Sequence, residues 1–341
     1  GLALVNQERP SEALQYLGDF LPRVDRVFDL RDERRWQGHA LVADAFTRRS
    51  LVAEGERILR HAIAQATTAG ADESSLVRLI NSLTLTLRQK IARADEADRG
   101  AAIEAFRASA AELLERASRI GKPGRWFVRN ARGNLADVAL LERNYADAAE
   151  QARALLEESA GILDDCQVIR TVAMRVLAQA LNQMGEIQEP ADLYCRLIEC
   201  VRSRQVGNGD NILALSHMCD ALPILDRAGR WSDGERYARE AIAMLSTMGG
   251  HIGVTSYEAH VAHFMSAQGK LVEAQIVFDA LLEQPDSSLS QSDRLRLSVA
   301  YSSHLLRQGR LEEVEHRLQE LAAEIDIRAG LAVDFLSLIH I

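Results

Sequence analysis

Apolar and small residues recur along the chain in a pattern that predicts pairs of helices joined by tight turns. The pattern is clearest in residues 254–283, where one apolar stripe precedes Gly269 and a second follows it with the 3.6-residue period of a helix. The second stripe consists of Leu271, Ala274, Phe278 and Leu281. A hairpin of two helices cannot bury its own apolar faces, so it requires copies of itself on both sides.

The chain supplies such copies in register. Each predicted first helix carries an apolar triplet whose middle residues are spaced 41, 52, 42, 44, 40 and 40 positions apart: Ala43, Thr84, Ala136, Ala178, Leu222, Ala262 and Ser302. The turns repeat as well, because reversal of a helix favours a residue with φ > 0; the turn glycines are Gly185, Gly229, Gly269 and Gly309. Most second helices open on a small residue, which predicts close helix–helix contact.

A few segments depart from this regularity. The third repeat carries extra residues around 89–102, which predict either longer helices or a charged loop. Pro223 falls inside a first helix, where it should kink the helix or delay its start. Trp231, two residues after a turn glycine, occupies a position that we expect to pack.

The repeat register resembles that of the tetratricopeptide repeat (TPR) family. The resemblance is carried by Asn134-Leu135-Ala136 with Tyr145 and Ala148, by Leu177-Ala178 with Gly185-Glu186-Ile187, and by Gly269-Lys270-Leu271 with Ala274. It implies an all-α fold, an α-α superhelix (solenoid) of about eight stacked helical hairpins. The period differs from the 34 residues usual in the family, so we expect longer helices.

The resemblance covers residues 1–330 as a single TPR-like array whose first repeat is truncated. Residues 331–341 fit no repeat, and their end, from about Leu336, is typical of translated sequencing adaptor.

Composition and charge narrow the possible functions. The net charge of −9 argues against a general nucleic-acid binder, which would normally present a basic face. No apolar run is long enough to predict a membrane span. His260 and His263 lie one helical turn apart, but no third metal ligand is spaced to join them, so polar lining of a groove is the preferred interpretation. No pattern of catalytic residues is recognisable, and we expect no cofactor and no enzymatic activity.

In TPR proteins the first helices line the concave groove, and the resemblance therefore implies a set of inward polar positions. These candidates are Asn130, Asp137, Arg175, Gln179, Ser256, His263, Arg296 and Ser303. A protein or peptide partner in the groove is the expected ligand. An ordinary solvated helix surface is the alternative interpretation of these residues.

The period of about 40 residues and the Ala-, Leu-, Arg- and Glu-rich composition resemble the sensor regions of two groups of bacterial signalling proteins. These groups are the diguanylate cyclases and the maltose-activator-type regulators. The sequence therefore predicts a non-catalytic interaction or sensory module of a larger cytoplasmic protein. The alternatives are a small-ligand receptor that uses the groove around His263 and Arg296, or a free-standing adaptor.

Overall fold

The computed structural model describes residues 10–48, 50–160, 167–203, 208–247, 254–283 and 291–324. Within these ranges the chain is helical throughout, with fifteen α-helices, one short 3₁₀ segment at Lys122–Gly124 and no strand. The all-α prediction is confirmed. Residues 1–9, where the truncated first helix was predicted, and the tail 331–341 lie outside the described residues.

The chain divides into two compact units, 1–184 and 185–341. Helices of unit 1 are α1 (Pro10–Val27), α2 (Glu33–Arg48), α3 (Val52–Thr68), α4 (Glu73–Ile91), α5 (Glu96–Arg119), α6 (Arg125–Leu141), α7 (Tyr145–Glu158) and α8 (Gln167–Gln183). Helices of unit 2 are α9 (Gln188–Arg202), α10 (Asn208–Arg227), α11 (Trp231–Thr247), α12 (Val254–Ala267), α13 (Leu271–Leu282), α14 (Gln291–Arg307) and α15 (Leu311–Glu324).

Both units are stacks of antiparallel hairpins. In unit 1 the helices from α1 to α8 each contact the next along the chain, and first helices also contact one another, as α2 does α4 and α6 does α8. Unit 2 repeats this arrangement from α9 to α15, with α12 against α14. The even-numbered helices are the first helices of the hairpins, and the odd-numbered ones are the second helices.

The predicted turn glycines have the positive φ angle that a hairpin turn requires. Gly229, Gly269 and Gly309 have φ of 67°, 81° and 75°. The residue after each glycine donates its N–H to a carbonyl five residues back, as Arg230 does to Leu225 at 2.9 Å, which satisfies an otherwise unpaired C=O at the helix end.

The predicted register of the first helices is confirmed at the seven triplets within the described residues, because the middle residue of each is at most 6% exposed: Ala43, Thr84, Ala136, Ala178, Leu222, Ala262 and Ser302. The predicted close approach at the second helices is confirmed at two glycines. A Cβ added to Gly55 would meet the Thr47 side chain, and one added to Gly234 would overlap the ring of Phe264.

The structure shows how three irregular segments of the sequence are accommodated. The extra residues near 89–102 lengthen the second helix, since α5 has 24 residues and Asp95 caps its start by accepting from the Asp98 N–H at 2.9 Å. Pro223 lies inside α10, which begins at Asn208, so of the two expected effects, a kink or a delayed start, the delayed start does not occur. Trp231, the first residue of α11, is 37% exposed, so it packs less than predicted.

Candidate binding site on the first helices

The first helices of unit 1 turn one polar stripe to solvent. On α4 this stripe is formed by Arg78, Asn81, Leu85 and Arg88, which are exposed or half-buried and follow one another at helical spacing. The opposite side of α4 is buried in the stack. We call the solvent side of α2, α4, α6 and α8 the first-helix face of unit 1.

Asp137 of α6 is the centre of a charged cluster on this face. It is 3% exposed, and Arg175 Nη2 of α8 donates to its Oδ1 at 2.8 Å, while Arg88 Nε of α4 donates to its Oδ2. Burial raises the pKa of this carboxyl, but the charges and hydrogen bonds of the two arginines outweigh burial and lower its pKa. One carboxylate thus links three consecutive first helices.

Two amide contacts lie on the same face, of which only the contact of Gln179 touches the cluster. Asn130 Nδ2 of α6 donates to Asn81 Oδ1 of α4 at 2.6 Å, and Arg175 Nη1 donates to Gln179 Oε1 at 2.9 Å. Asn130 is 7% exposed, whereas Arg175 and Gln179 are half-buried. Of the four residues predicted for this part of the groove, Asp137, Arg175 and Gln179 therefore belong to one network, and Asn130 forms a separate pair with Asn81; Asn130 and Asp137 offer little surface to a partner.

The predicted residues of unit 2 form two separate pairs. Arg296 Nη1 of α14 donates to Ser256 Oγ of α12 at 3.0 Å; Ser256 is buried and Arg296 exposed. His263 Nε2 of α12 lies 3.0 Å from Asp226 Oδ2 of α10. Ser303 is half-buried on α14.

The carboxyl of Asp226 is held in its ionised form. Burial raises its pKa, but the hydrogen bond from His263 and the nearby positive charges outweigh burial and lower the pKa. Sequence spacing did not indicate that Asp226 faces His263, because the two residues belong to different helices.

His260 does not share a ligand with His263. Its Nδ1 donates to the backbone carbonyl of Ser256 at 2.7 Å, and burial lowers the pKa of the ring to about 4, so the imidazole is neutral near pH 7. Across the residues that the structure describes, no three His, Cys, Asp or Glu side chains converge to hold a metal ion.

Arg88, Asn81 and Leu85 are site residues that sequence reasoning missed. All three lie on α4, which contributed no candidate, although α4 has a first-helix triplet like its neighbours. The available signal was the stripe that runs from Arg78 to Arg88 at helical spacing opposite the buried triplet.

Comparison with known proteins supports the fold. The chain aligns with a signal transduction ATPase with numerous domains (STAND) protein that has a tetratricopeptide repeat sensor, from Pyrococcus horikoshii. That alignment has a TM-score of 0.61 and 12% identity, and it covers 93% of this chain and 45% of that one. BtubC (BKLC) from P. vanneervenii aligns with a TM-score of 0.45 and 16% identity over 67% of this chain and 92% of that one.

No protein-family model and no curated protein matches the sequence. At 12% identity the alignment with the STAND protein shows the fold alone, which is TPR-like. None of the helices in the described ranges has the length and apolar character needed to cross a bilayer.

Proposed function

We propose that the chain is a non-catalytic module that binds a protein or peptide partner on the first-helix face of unit 1. The observation that carries the proposal is the polar stripe of α4 beside the Arg88–Asp137–Arg175 cluster. Consecutive first helices there present hydrogen-bonding side chains on the side that the stack does not use for packing.

The residues of unit 2 contribute less to the proposal. Ser256 and Arg296 are paired with each other, and His263 Nε2 lies 3.0 Å from Asp226 Oδ2, so these side chains already contact other groups of the unit. A small-ligand receptor around His263 and Arg296 stays the alternative. It predicts that a ligand displaces one of these pairs.

The second part of the proposal concerns the larger protein to which the module belongs. The STAND protein carries its TPR repeats as a sensor, and this chain spans 45% of the length of that protein. We infer that the module belongs to a larger cytoplasmic bacterial signalling or regulatory protein. The sequences that flank it in its gene test this inference, since a neighbouring ATPase, cyclase or DNA-binding domain supports it.

The binding face is tested by selecting random 12-residue peptides on phage against the full chain. The selected pool is then assayed on two variants with matched changes of charge: Leu85→Asp on the first-helix face and His61→Asp on the exposed side of α3. Both side chains are exposed, so both variants should keep the wild-type far-UV circular dichroism spectrum.

We expect the pool to lose binding to Leu85→Asp and to keep it on His61→Asp. Equal binding to both variants would show that the partner uses another face of the chain, and the proposed site would be rejected.

A further inference from the structure

The second helix α13 is apolar on two sides, of which the stack covers only one. Its inner side is buried in the stack through Ala274 and Phe278. Its outer side carries Val272 and Ile276, which lie one helical turn apart and are 73% and 64% exposed. Ala280, one turn further along, is exposed as well. We call these three residues the outer stripe of α13. A helix that is apolar on both sides is normally covered on both, which indicates a contact with a partner.

Carboxylates border the outer stripe. At 3.6 residues per turn, Glu273 lies on one side of the stripe and Asp279 on the other, and Glu283 follows directly after the helix. All three are exposed and none forms an ion pair with a described residue, although Asp279 accepts a hydrogen bond from the neutral amide of Gln275 at 2.7 Å. The negative end of the helix dipole lies beside Glu283 and adds to these charges. The outer stripe is therefore surrounded by negative electrostatic potential.

No basic residue of α13 offsets this potential. Among the second helices that the structure describes, α13 is the one that contains neither lysine nor arginine. In α11, by contrast, Arg236 pairs with Asp233 at 2.9 Å and Arg239 with Glu235 at 2.8 Å. Lys270, in the turn before α13, pairs with Glu235 of α11 at 2.9 Å. The charges are thus matched on α11 and unmatched on α13.

We propose that the outer stripe of α13 binds an amphipathic helix of a partner protein, one whose apolar face is bordered by lysine or arginine. Apolar side chains of that helix pack on Val272 and Ile276, and its basic side chains pair with Glu273, Asp279 and Glu283. A helix fits this surface because the apolar residues of α13 recur at the one-turn spacing by which packed helices interdigitate. The surface belongs to unit 2, and the proposal does not depend on the first-helix face of unit 1.

The same carboxylates argue against the two other apolar ligands of such a surface. In a symmetric dimer of this chain, contact between two outer stripes would bring the carboxylates of one copy against those of the other. The anionic surface of a bilayer would likewise be repelled. A basic amphipathic helix gains both the apolar contact and the charge pairing.

The partner chemistry is tested by phage display of a three-helix scaffold in which the exposed positions of one helix are randomised. Phage are selected on the full chain, and those that also bind a variant with Val272→Gln and Ile276→Gln are removed. In this stripe variant, glutamine keeps the helix propensity and removes the apolar surface. The remaining pool contains binders that require the outer stripe. We expect it to be enriched in apolar residues at helical spacing that are bordered by lysine and arginine.

One enriched scaffold is then labelled with fluorescein, and its dissociation constants are measured by fluorescence anisotropy. The stripe variant should bind at least about tenfold more weakly than the wild type. Glu273→Gln with Glu283→Gln should weaken binding about fivefold. The matched control, Glu150→Gln with Glu157→Gln, removes two exposed carboxylates from α7 and should stay within about twofold of wild type. Because every change replaces an exposed side chain, all variants should keep the wild-type far-UV circular dichroism spectrum.

Four results would overturn the proposal. One is a pool that has no remaining binders, or whose binders show no excess of basic residues. Another is an equal effect of the two carboxylate variants, which would mean that only the net charge of the chain matters. The outer stripe belongs to a second copy if sedimentation equilibrium shows a dimer for the wild type and a monomer for the stripe variant. It belongs to a bilayer if the wild type binds vesicles of phosphatidylserine and phosphatidylcholine and the stripe variant does not.

Discussion

The contact between Gly234 and Phe264 makes the strongest test of how the hairpins of unit 2 pack. Gly234 lies in the first turn of α11, against the first helix of the next hairpin, α12. A Cβ at this position would lie 2.5 Å from Cε1 and 2.7 Å from Cε2 of Phe264, and closer still to Cζ. We therefore expect Gly234→Ala to destabilise the unit, although alanine is the better helix former.

The size of the effect follows from two opposing contributions. Carbon atoms in contact normally lie about 3.5–4.0 Å apart, so the ring would have to move by about 1 Å. Phe264 is 0% exposed, which leaves the ring no free direction in which to move. Overpacking of a core costs about 1–3 kcal/mol, and replacing a helical glycine by alanine gains about 1 kcal/mol. With an overlap this large we expect a net loss of about 2 kcal/mol.

Gly100 provides the matched control, because it lies in the interior of α5 and no heavy atom approaches within 4 Å of its added Cβ. Gly100→Ala should therefore gain up to about 1 kcal/mol. Urea unfolding followed by far-UV circular dichroism measures both changes, and hydrogen–deuterium exchange should locate the loss in α11 and α12. Adding Phe264→Leu to Gly234→Ala should recover part of the loss, which a double-mutant cycle measures.

The reasoning fails if Gly234→Ala is as stable as the wild type, or gains stability as Gly100→Ala does. Either result would mean that α11 and α12 are not in the close contact that the register of the repeat requires.

Two further predictions concern the polar groups of the stack. The pKa of His260 in the folded chain is about 4, below its ordinary value of 6.5, so the unfolded chain binds the proton more tightly. The free energy of unfolding should therefore fall as the pH drops from 6.5 to 4, by up to about 3 kcal/mol. In urea titrations across this range, His260→Phe should lose stability less steeply than the wild type; an unchanged slope would contradict a buried, neutral imidazole. Asp137→Asn should lower the free energy of unfolding by about 3 kcal/mol, because it leaves two guanidinium groups without their shared counter-charge. Asp44→Asn breaks an exposed ion pair, so its free energy of unfolding should stay within about 0.5 kcal/mol of wild type. Equal losses for these two variants, measured by urea unfolding, would show that the Asp137 cluster does not stabilise the stack.

The sequence predicted the hairpin register well because that register is a local property. A buried residue at the middle of each triplet and a positive-φ glycine in the later turns both follow from backbone geometry, and the triplets recur every 40–44 positions in most repeats. Ala262 and Gly269 illustrate the two signals: Ala262 is 0% exposed, and Gly269 has φ of 81°.

The site was predicted only in part, because its contacts depend on how neighbouring helices are rotated relative to one another. Asp137 was predicted to line the groove, but its two arginines lie 49 and 38 positions away in the chain, and no sequence spacing specifies that the three side chains meet. Asn130 was likewise predicted to line the groove, yet its side-chain amide donates to Asn81 of the preceding first helix. A residue that faces inward in a stack can reach the adjacent repeat. A polar residue at such a position can therefore bond either to the neighbouring repeat or to a ligand.

These two uses of an inward polar residue help to explain why the stack retains the buried carboxylate of Asp137. An ion pair in the interior often stabilises a protein less than apolar residues of the same volume would. An apolar residue at position 137 would pack, but it would leave Arg88 and Arg175 without a fixed orientation. The buried carboxylate orients both guanidinium groups while neutralising only one of them. The positive charge that remains lies on the exposed side of the network, where a ligand can reach it. The same arrangement that links α4, α6 and α8 thus leaves hydrogen-bond donors of Arg88 on the first-helix face that the proposed partner would use.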